Sequence, residues 1–245
     1  MCQVYKGLSR SSIFEMNLKT LFIECLKAPY IHVENAGDYW LKKRGNILYI
    51  YLECSSGLID WKNNLDFLPT VKKNQFSDVC CHIRLSQKLS ESPVSPYKNM
   101  SSVWFAHRGF LRVWKSIENH IRYDICDKRY KKMIIVGYSH GAALAMLCHE
   151  YIWYHRPDLR CSIQGYGFGC PRVFWGIKTR KTAKRWERFL VIRNIDDIVT
   201  HVPPAWLGFS HVGTVLSIGE KGKYTPIDAH RPENILSELS RDLST

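Results

Sequence analysis

The sequence lacks any hydrophobic run long enough to cross a membrane as a helix, which needs about 20 consecutive apolar residues. Residues 1–10 also contain no apolar stretch of the signal-peptide type. Neither an internal repeat nor a low-complexity tract marks a second domain. We therefore expect one domain over residues 1–245, without a signal peptide or a transmembrane segment.

Cysteine pairs with the spacing of metal or redox sites are also missing. The nine cysteines contain no CxxC motif, and their number is odd. The adjacent Cys80 and Cys81 are better interpreted as ordinary buried thiols, because neighbouring side chains point in different directions. The sequence predicts reduced thiols in a cytoplasmic protein, with no metal site and no cofactor.

Acidic residues are scarce, since 22 Asp and Glu stand against 35 Lys and Arg and leave a formal charge of +13. Such a surplus attracts polyanions, either an anionic membrane surface or a nucleic acid. The densest basic stretch, residues 178–188, contains Trp186 and could form a nucleic-acid patch with an interleaved aromatic. No nucleic-acid motif accompanies it, so we favour a solvated helix face or loop, and peripheral association with anionic membranes over nucleic-acid binding.

Helix and strand patterns alternate along the chain. Residues 11–26 and 110–121 have helix spacing, while residues 38–41 and 47–52 are typical of two strands joined by a hairpin. Alternating strand and helix units call for an α/β fold with a mostly parallel central sheet and helices on both faces. The later predicted elements are a helix at 142–154 and strands at 133–136, 161–168, 189–193 and 212–218.

The strongest local signal is the sequence GYSHG, which runs from Gly137 to Gly141. It lies directly between a predicted strand and a predicted helix, where flanking glycines let both elements approach a strained serine. The backbone N–H of His140 and the helix N-terminus would then face a developing negative charge. Ser139 is the predicted nucleophile; the alternative is a glycine-rich turn with a capping serine.

The acid of a hydrolytic triad should follow a strand, because the working groups of an open α/β sheet lie beyond the carboxyl ends of its strands. Asp196 and Asp197 both follow the strand predicted at 189–193. A carboxylate is needed there to hold the tautomer of an imidazole base and to stabilise its charge. The residues alone separate the two aspartates poorly.

Ten histidines compete for the role of base. His211 precedes the last predicted strand and should lie at the opposite end of the sheet, whereas His230 follows that strand. The strand-end rule favours His230, and the resulting order Ser, Asp, His is that of α/β-hydrolases. His201 and His140 remain alternatives.

Several motifs follow one another along the chain: LECSSGLIDW at 52–61, HRGF at 107–110, GYSHGAALA at 137–145, FGCPRV at 168–173 and NIDDIVTHVPP at 194–204. From about residue 47 to residue 230 the chain therefore resembles the class 3, or fungal-type, lipases. The resemblance implies an α/β-hydrolase fold and hydrolysis of carboxylic esters of lipids, either acylglycerols or phospholipids, through a Ser-His-Asp triad and an acyl-enzyme.

The resemblance also assigns roles to single residues. It implies that Asp197 is the acid and that Ser55, together with His140, supplies the oxyanion hole; a plain turn residue is the alternative for Ser55. The chain departs from the family where Cys54 replaces a usual glycine and Glu53 a common arginine. These departures motivate a second hypothesis, a catalytically weak protein of this fold that binds lipid or protein.

Residues 57–68 occupy the place where lipases of this family carry a mobile lid. Leu58 and Trp61 are among the apolar side chains that could contact acyl chains or a membrane. The alternative is that these residues simply cover the core.

Overall fold

The structure, a computed structural model, describes residues 17–33, 37–54, 105–176 and 184–241. Within these ranges the chain forms strands, α-helices and short 3₁₀ turns. The helices are α1 (Leu18–Lys27), α2 (Arg108–Cys126), α3 (His140–His155) and α4 (Pro232–Arg241). The strands are β1 (Gly37–Arg44), β2 (Ile47–Cys54), β3 (Phe105–Ala106), β4 (Lys132–Tyr138), β5 (Ile163–Phe168), β6 (Phe174–Trp175), β7 (Phe189–Asn194), β8 (Phe209–Ser210) and β9 (Thr214–Ile218). The 3₁₀ turns are Pro157–Leu159, Lys184–Trp186, Val199–His201, Ala205–Leu207 and Asp228–His230.

Six strands form the central sheet in the order β1-β2-β4-β5-β7-β9. β1 pairs with β2 in the antiparallel sense through the predicted hairpin, and every other neighbouring pair is parallel. The sheet separates two apolar cores, because successive side chains of a strand point to opposite faces. The core containing Leu48 and Ile50 is covered by α2 and α3, and the core containing Tyr49 and Tyr51 by α1 and α4. The predicted, mostly parallel sheet with helices on both faces is confirmed.

α3 is buried on nearly all sides, because it packs between the sheet and α2. Its first turns are rich in small residues, which let the helix approach the strands closely. α2 is instead amphipathic and begins at a buried cap, where the His107 Nδ1 atom accepts a hydrogen bond from the Phe110 N–H at 3.3 Å. Among the described helices, none combines the length and the apolar character that a bilayer span requires.

A second sheet, of strands β3-β6-β8, is small and antiparallel. Its strands come from the segments that follow the carboxyl ends of β5 and β7 and from the segment before α2. The sequence patterns did not predict this sheet, because a two-residue strand is too short to show alternation. It joins the loops at the carboxyl edge of the central sheet.

The described part of the basic stretch at 178–188 is mixed: Glu187 and Arg188 are exposed in a turn, as the loop interpretation predicts, whereas Arg185 and Trp186 are buried. Trp186 is fully buried and packs on the Phe174 ring, with 4.7 Å between the centroids. The neighbouring Arg185 is also buried and pairs with Glu150, the N–O distance being 3.1 Å. A buried indole is not available to stack on a base, so these residues belong to the core. Residues 177–183 lie outside the described ranges.

The cysteines whose side chains the structure describes are free thiols rather than disulfides. Burial raises the pKa of the Cys25 thiol to about 12, and it also raises the pKa of Cys148 and Cys170. Such thiols stay protonated and are poor nucleophiles. The described cysteines are Cys25, Cys126, Cys148, Cys161 and Cys170.

Candidate active site

Ser139 lies in a one-residue turn between β4 and α3. Its backbone has a φ of 54° and a ψ of −122°, and it is the only non-glycine residue of positive φ in the described ranges. A Cβ atom at Gly137 would lie 2.2 Å from the carbonyl oxygen of Gly141, and one at Gly141 would lie 2.1 Å from that of Leu52. Both glycines are therefore required for the turn, as the GxSxG pattern predicts. Strain of this kind costs about 1–3 kcal/mol and is typical of active sites.

The structure brings Ser139, His230 and Asp197 together in one hydrogen-bonded chain. The Oγ of Ser139 lies 2.8 Å from Nε2 of His230, and Nδ1 of His230 lies 2.8 Å from Oδ2 of Asp197. Because a carboxylate accepts hydrogen bonds, Nδ1 carries the proton and Nε2 is left to accept one from the serine hydroxyl. This arrangement can deprotonate a serine during attack on a carbonyl carbon.

Asp197 is held rigidly in the loop after β7. Its carboxylate is fully buried, and its second oxygen, Oδ1, accepts a hydrogen bond from the Val199 N–H at 2.8 Å. The hydroxyl of Thr200 donates to the Asp197 backbone carbonyl, also at 2.8 Å. A buried carboxylate that is bonded on both oxygens has one orientation, so it fixes the imidazole of His230.

His140 contributes to the site through its backbone. It is the first residue of α3, where backbone N–H groups have no partner within the helix. Its side chain is buried and packs against the Phe110 ring, with 4.9 Å between the centroids. The backbone N–H of His140 therefore lies directly after the nucleophile, and its role as an oxyanion donor stays a prediction, while its imidazole is buried away from the Ser139–His230–Asp197 chain.

The competing acid and bases lie elsewhere. Oδ2 of Asp196 accepts a hydrogen bond from the Gly222 N–H at 2.8 Å, so this carboxylate organises a loop. His201 bonds within its own loop, where its Nδ1 lies 2.9 Å from the Asp197 backbone oxygen. Nε2 of His211 bonds to the Thr200 carbonyl at 2.6 Å, and burial lowers the pKa of His211 to about 4. Of the candidates that the sequence left open, only His230 contacts both Ser139 and Asp197.

Gly169 is part of the site, although the sequence argument used its motif only for the family resemblance. It has a φ of 57°, and a Cβ atom there would lie 2.7 Å from Cε1 of His230 and 3.2 Å from Oδ2 of Asp197. The base packs directly on this backbone. A glycine directly after a predicted strand, in the FGCPRV motif, was the signal available in the sequence.

Arg172, in the same motif, ties together the loops that carry the site. Its guanidinium donates to the backbone carbonyls of His201 and Pro203, the latter at 2.9 Å, and its N–H donates to the Val202 carbonyl at 2.8 Å. These bonds link the loop after β5 to the loop that holds Asp197.

Several predicted site residues lie outside the described ranges. They are Ser55 of the oxyanion hole, Leu58, Trp61, and the candidate lid at 57–68. Their roles remain predictions.

Comparison with protein families matches residues 49–206 to the family described as lipase (class 3). A lipase of Rhizomucor miehei is 29% identical over 181 residues, covering 68% of this chain and 40% of that protein. Phospholipase A1-II 1 of Oryza sativa subsp. indica is 29% identical over 172 residues, covering 66% of this chain and 40% of that protein. The matched part thus spans well under half the length of these relatives.

Solved structures of fungal lipases share the fold. A deletion mutant of the Rhizomucor miehei lipase in its propeptide complex superposes with a TM-score of 0.60 and 20% identity, covering 96% of this chain and 79% of that one. A fungal lipase–inhibitor complex gives a TM-score of 0.58 at 21% identity, covering 82% and 78%. The predicted α/β-hydrolase fold is confirmed.

Proposed function

Because the chain belongs to the class 3 lipase family, we propose that it is a serine hydrolase of carboxylic ester bonds in lipids. One observation carries the proposal: Ser139, His230 and Asp197 form a hydrogen-bonded chain with both links at 2.8 Å. Relatives named lipase and phospholipase A1 support acylglycerols or phospholipids as the substrate class.

The reaction follows from the geometry. As Oγ of Ser139 attacks the ester carbonyl carbon, Nε2 of His230 takes the hydroxyl proton and the buried carboxylate of Asp197 stabilises the imidazolium. The oxygen of the tetrahedral intermediate takes the negative charge and accepts a hydrogen bond from the His140 N–H. Collapse breaks the bond to the alcohol, which leaves with the proton from Nε2. Water then attacks the acyl-Ser139 by the same steps and releases the acid.

Hydrolysis of lipid esters tests the proposal. We expect the protein to release fatty acid from a diacylglycerol emulsion or from phosphatidylglycerol vesicles, and to cleave a soluble short-chain ester. The Ser139→Ala variant should lose this activity by a factor on the order of 10⁴ or more. A wild-type protein without ester hydrolysis would favour the catalytically weak, lipid- or protein-binding alternative instead.

We also propose that the carboxyl edge of the central sheet docks on anionic membrane surfaces. Of the eight exposed large hydrophobic side chains in the described ranges, five lie in the loops that follow β7 and β9, and these loops also carry Asp197 and His230. The net charge of +13 attracts the chain to anionic surfaces, and Arg172 is bonded to the loop that carries Trp206 and Leu207. Apolar tips on a protein of net positive charge favour an anionic lipid–water interface. The five side chains are Ile195, Ile198, Trp206, Leu207 and Ile227.

Vesicle binding at varied salt checks this surface. The double variant Trp206→Ala, Ile227→Ser should weaken binding to phosphatidylglycerol vesicles and leave hydrolysis of a soluble ester unchanged. The reason is that only an aggregated substrate contacts the five exposed apolar side chains. Tyr123→Ala is the matched control, since Tyr123 is 72% exposed but lies on α2. Salt should weaken binding, because charges are screened beyond about 8 Å at physiological ionic strength. Vesicle binding that does not change with salt, with lipid charge or with the substitutions at Trp206 and Ile227 would contradict the docking proposal.

Two earlier predictions stay predictions. The cytoplasmic location follows only from the cysteine pattern. The involvement of Leu58 and Trp61 in lipid contact awaits variants of those residues, for which we expect losses on vesicles that exceed losses on a soluble ester.

A further inference from the structure

Tyr138 makes two contacts with the base of the triad. It is the last residue of β4, directly before Ser139. Its hydroxyl donates a hydrogen bond to the backbone carbonyl of His230, with an O–O distance of 2.6 Å. Its ring also stacks on the imidazole of His230, at 5.2 Å between centroids and 22° between planes. One side chain therefore holds both the main chain and the ring of the base.

The phenol of Tyr138 is itself held in place and stays protonated. Burial, and then the charges of Asp197 and Glu233, raise the pKa of Tyr138 above its usual value, so the hydroxyl is a hydrogen-bond donor at all ordinary pH values. The edge of the ring meets the ring of Phe22 on α1, at 5.5 Å between centroids. Phe22 is fully buried and stacks on Phe168 at 4.4 Å.

Phe168 connects this packing back to the nucleophile, because its carbonyl accepts the hydrogen bond of the Ser139 N–H at 2.9 Å. The aromatic cluster of Phe22, Tyr138 and Phe168 thus contacts His230 through Tyr138 and the backbone of Ser139 through Phe168. α1 supplies one ring of this cluster and so supports the site from the core.

His230 needs such support because it lies in a short 3₁₀ turn, Asp228–His230, between β9 and α4. A loop residue must hold the imidazole within about 0.5 Å of its productive position for efficient proton transfer. Asp197 orients the ring through Nδ1, but the backbone of the turn needs its own anchor. The hydroxyl of Tyr138 provides one from the rigid end of a central strand.

We propose that Tyr138 is a positioning residue for the general base, acting through the carbonyl and the ring of His230. This inference rests on the proposed hydrolase function. It assigns a role to a residue that is not itself a member of the Ser139–His230–Asp197 chain. Its side chain contacts the base rather than the reacting atoms, so its removal should slow turnover without changing substrate affinity.

Tyr138→Phe tests the hydroxyl, since it keeps the ring. With kcat expressed per Ser139 titrated by a fluorophosphonate, we expect a fall of roughly tenfold, the value of about one hydrogen bond, with KM unchanged. Tm should fall by about 2–4 °C, because the His230 carbonyl loses its donor. The matched control is Tyr166→Phe, which makes the same change at a buried tyrosine in the same core, on β5. That control should leave kcat unchanged.

A double variant shows through which residue Tyr138 acts. In a His230→Ala background, adding Tyr138→Phe should cause no further loss of the residual activity, because the group it positions is gone. An unchanged kcat in Tyr138→Phe, an equal loss in Tyr166→Phe, or a full tenfold further loss in the His230→Ala background would each overturn the inference. If the wild-type protein hydrolyses no ester, the proposed function fails and the inference with it; a failure with active wild type concerns Tyr138 alone.

Discussion

Gly169 has no reactive group, but the imidazole of His230 packs directly on its backbone. A side chain at this position would collide with the base, because a Cβ atom would lie 2.7 Å from Cε1 of the ring. The sequence predicted Ser139, His230 and Asp197, the three residues that the structure joins by hydrogen bonds, because chain order, strand ends and the family motifs agreed on them. It could not identify Gly169 or Tyr138, because their roles depend on contacts between residues about 60 and 92 positions apart in the chain.

Gly169→Ala should separate backbone strain from displacement of the base. A Cβ at positive φ costs about 1–2 kcal/mol of stability, and a base displaced by about 1 Å lowers kcat by roughly a hundredfold. Gly45→Ala is the matched control, because Gly45 has a φ of 54° and nothing within 4 Å of an added Cβ. Urea unfolding should show similar destabilisation in both variants. The value of kcat should fall only in Gly169→Ala. Full activity in Gly169→Ala would contradict the assigned packing on the base.

Among the secondary-structure elements, those that carry the nucleophile were predicted most accurately from the sequence. β4, the turn and α3 combine an apolar run, two glycines and a long run of small and apolar residues, so local pattern and tertiary role agree. α4 was not predicted, although Pro232 at its start and the spacing of Ile235 and Leu239 suit an amphipathic helix. Its apolar face is too short to stand out without knowledge of the core that it covers.

The end of α2 depends on one buried arginine from another element. Arg156, which is 1% exposed, donates through Nη1 to the carbonyls of Ile125 and Asp127 at 2.7 and 2.9 Å, and through Nη2 to that of Tyr130 at 2.8 Å. The last carbonyls of a helix have no partner within it, so this guanidinium acts as a cap.

Arg156→Met should therefore lower the free energy of unfolding by about 2–4 kcal/mol, because three carbonyl groups lose a charged donor in a buried place. Activity per folded molecule should not change, since the site is remote. The control is Arg129→Met, whose guanidinium pairs with Asp127 at the surface and whose loss should leave the urea midpoint unchanged. Equal effects of the two variants would show that the buried cap is not the source of the stability.

At the scale of the whole molecule, buried histidines make stability depend on pH. Burial lowers the pKa of His149 to about 3 and of His155 and His211 to about 4, and the charge of Arg185 contributes at His149. In the unfolded chain these groups titrate near 6.5. Between these values the unfolded state binds protons that the folded state does not, so acid favours unfolding.

Stability should accordingly be constant above about pH 7 and fall as the pH drops from about 6.5 towards 4. Urea titrations at pH 7.5, 6 and 5 measure this fall. His149→Leu should make the pH dependence shallower, because one depressed group is removed. A free energy of unfolding that stays level between pH 7 and pH 5 would contradict the buried, neutral state of these histidines.

The central claim, that Ser139 is a nucleophile activated by His230 and Asp197, is tested most directly by mass-spectrometric mapping of a fluorophosphonate adduct. The account predicts an adduct on Ser139 in the wild-type protein, none in Ser139→Ala, and labelling slowed by several orders of magnitude in His230→Ala. Asp197→Asn should also slow labelling strongly, whereas Asp196→Asn, which changes only a loop carboxylate, should label at the wild-type rate. A folded wild-type protein with no adduct on Ser139, or labelling that depends on Asp196 and not on Asp197, would contradict the account.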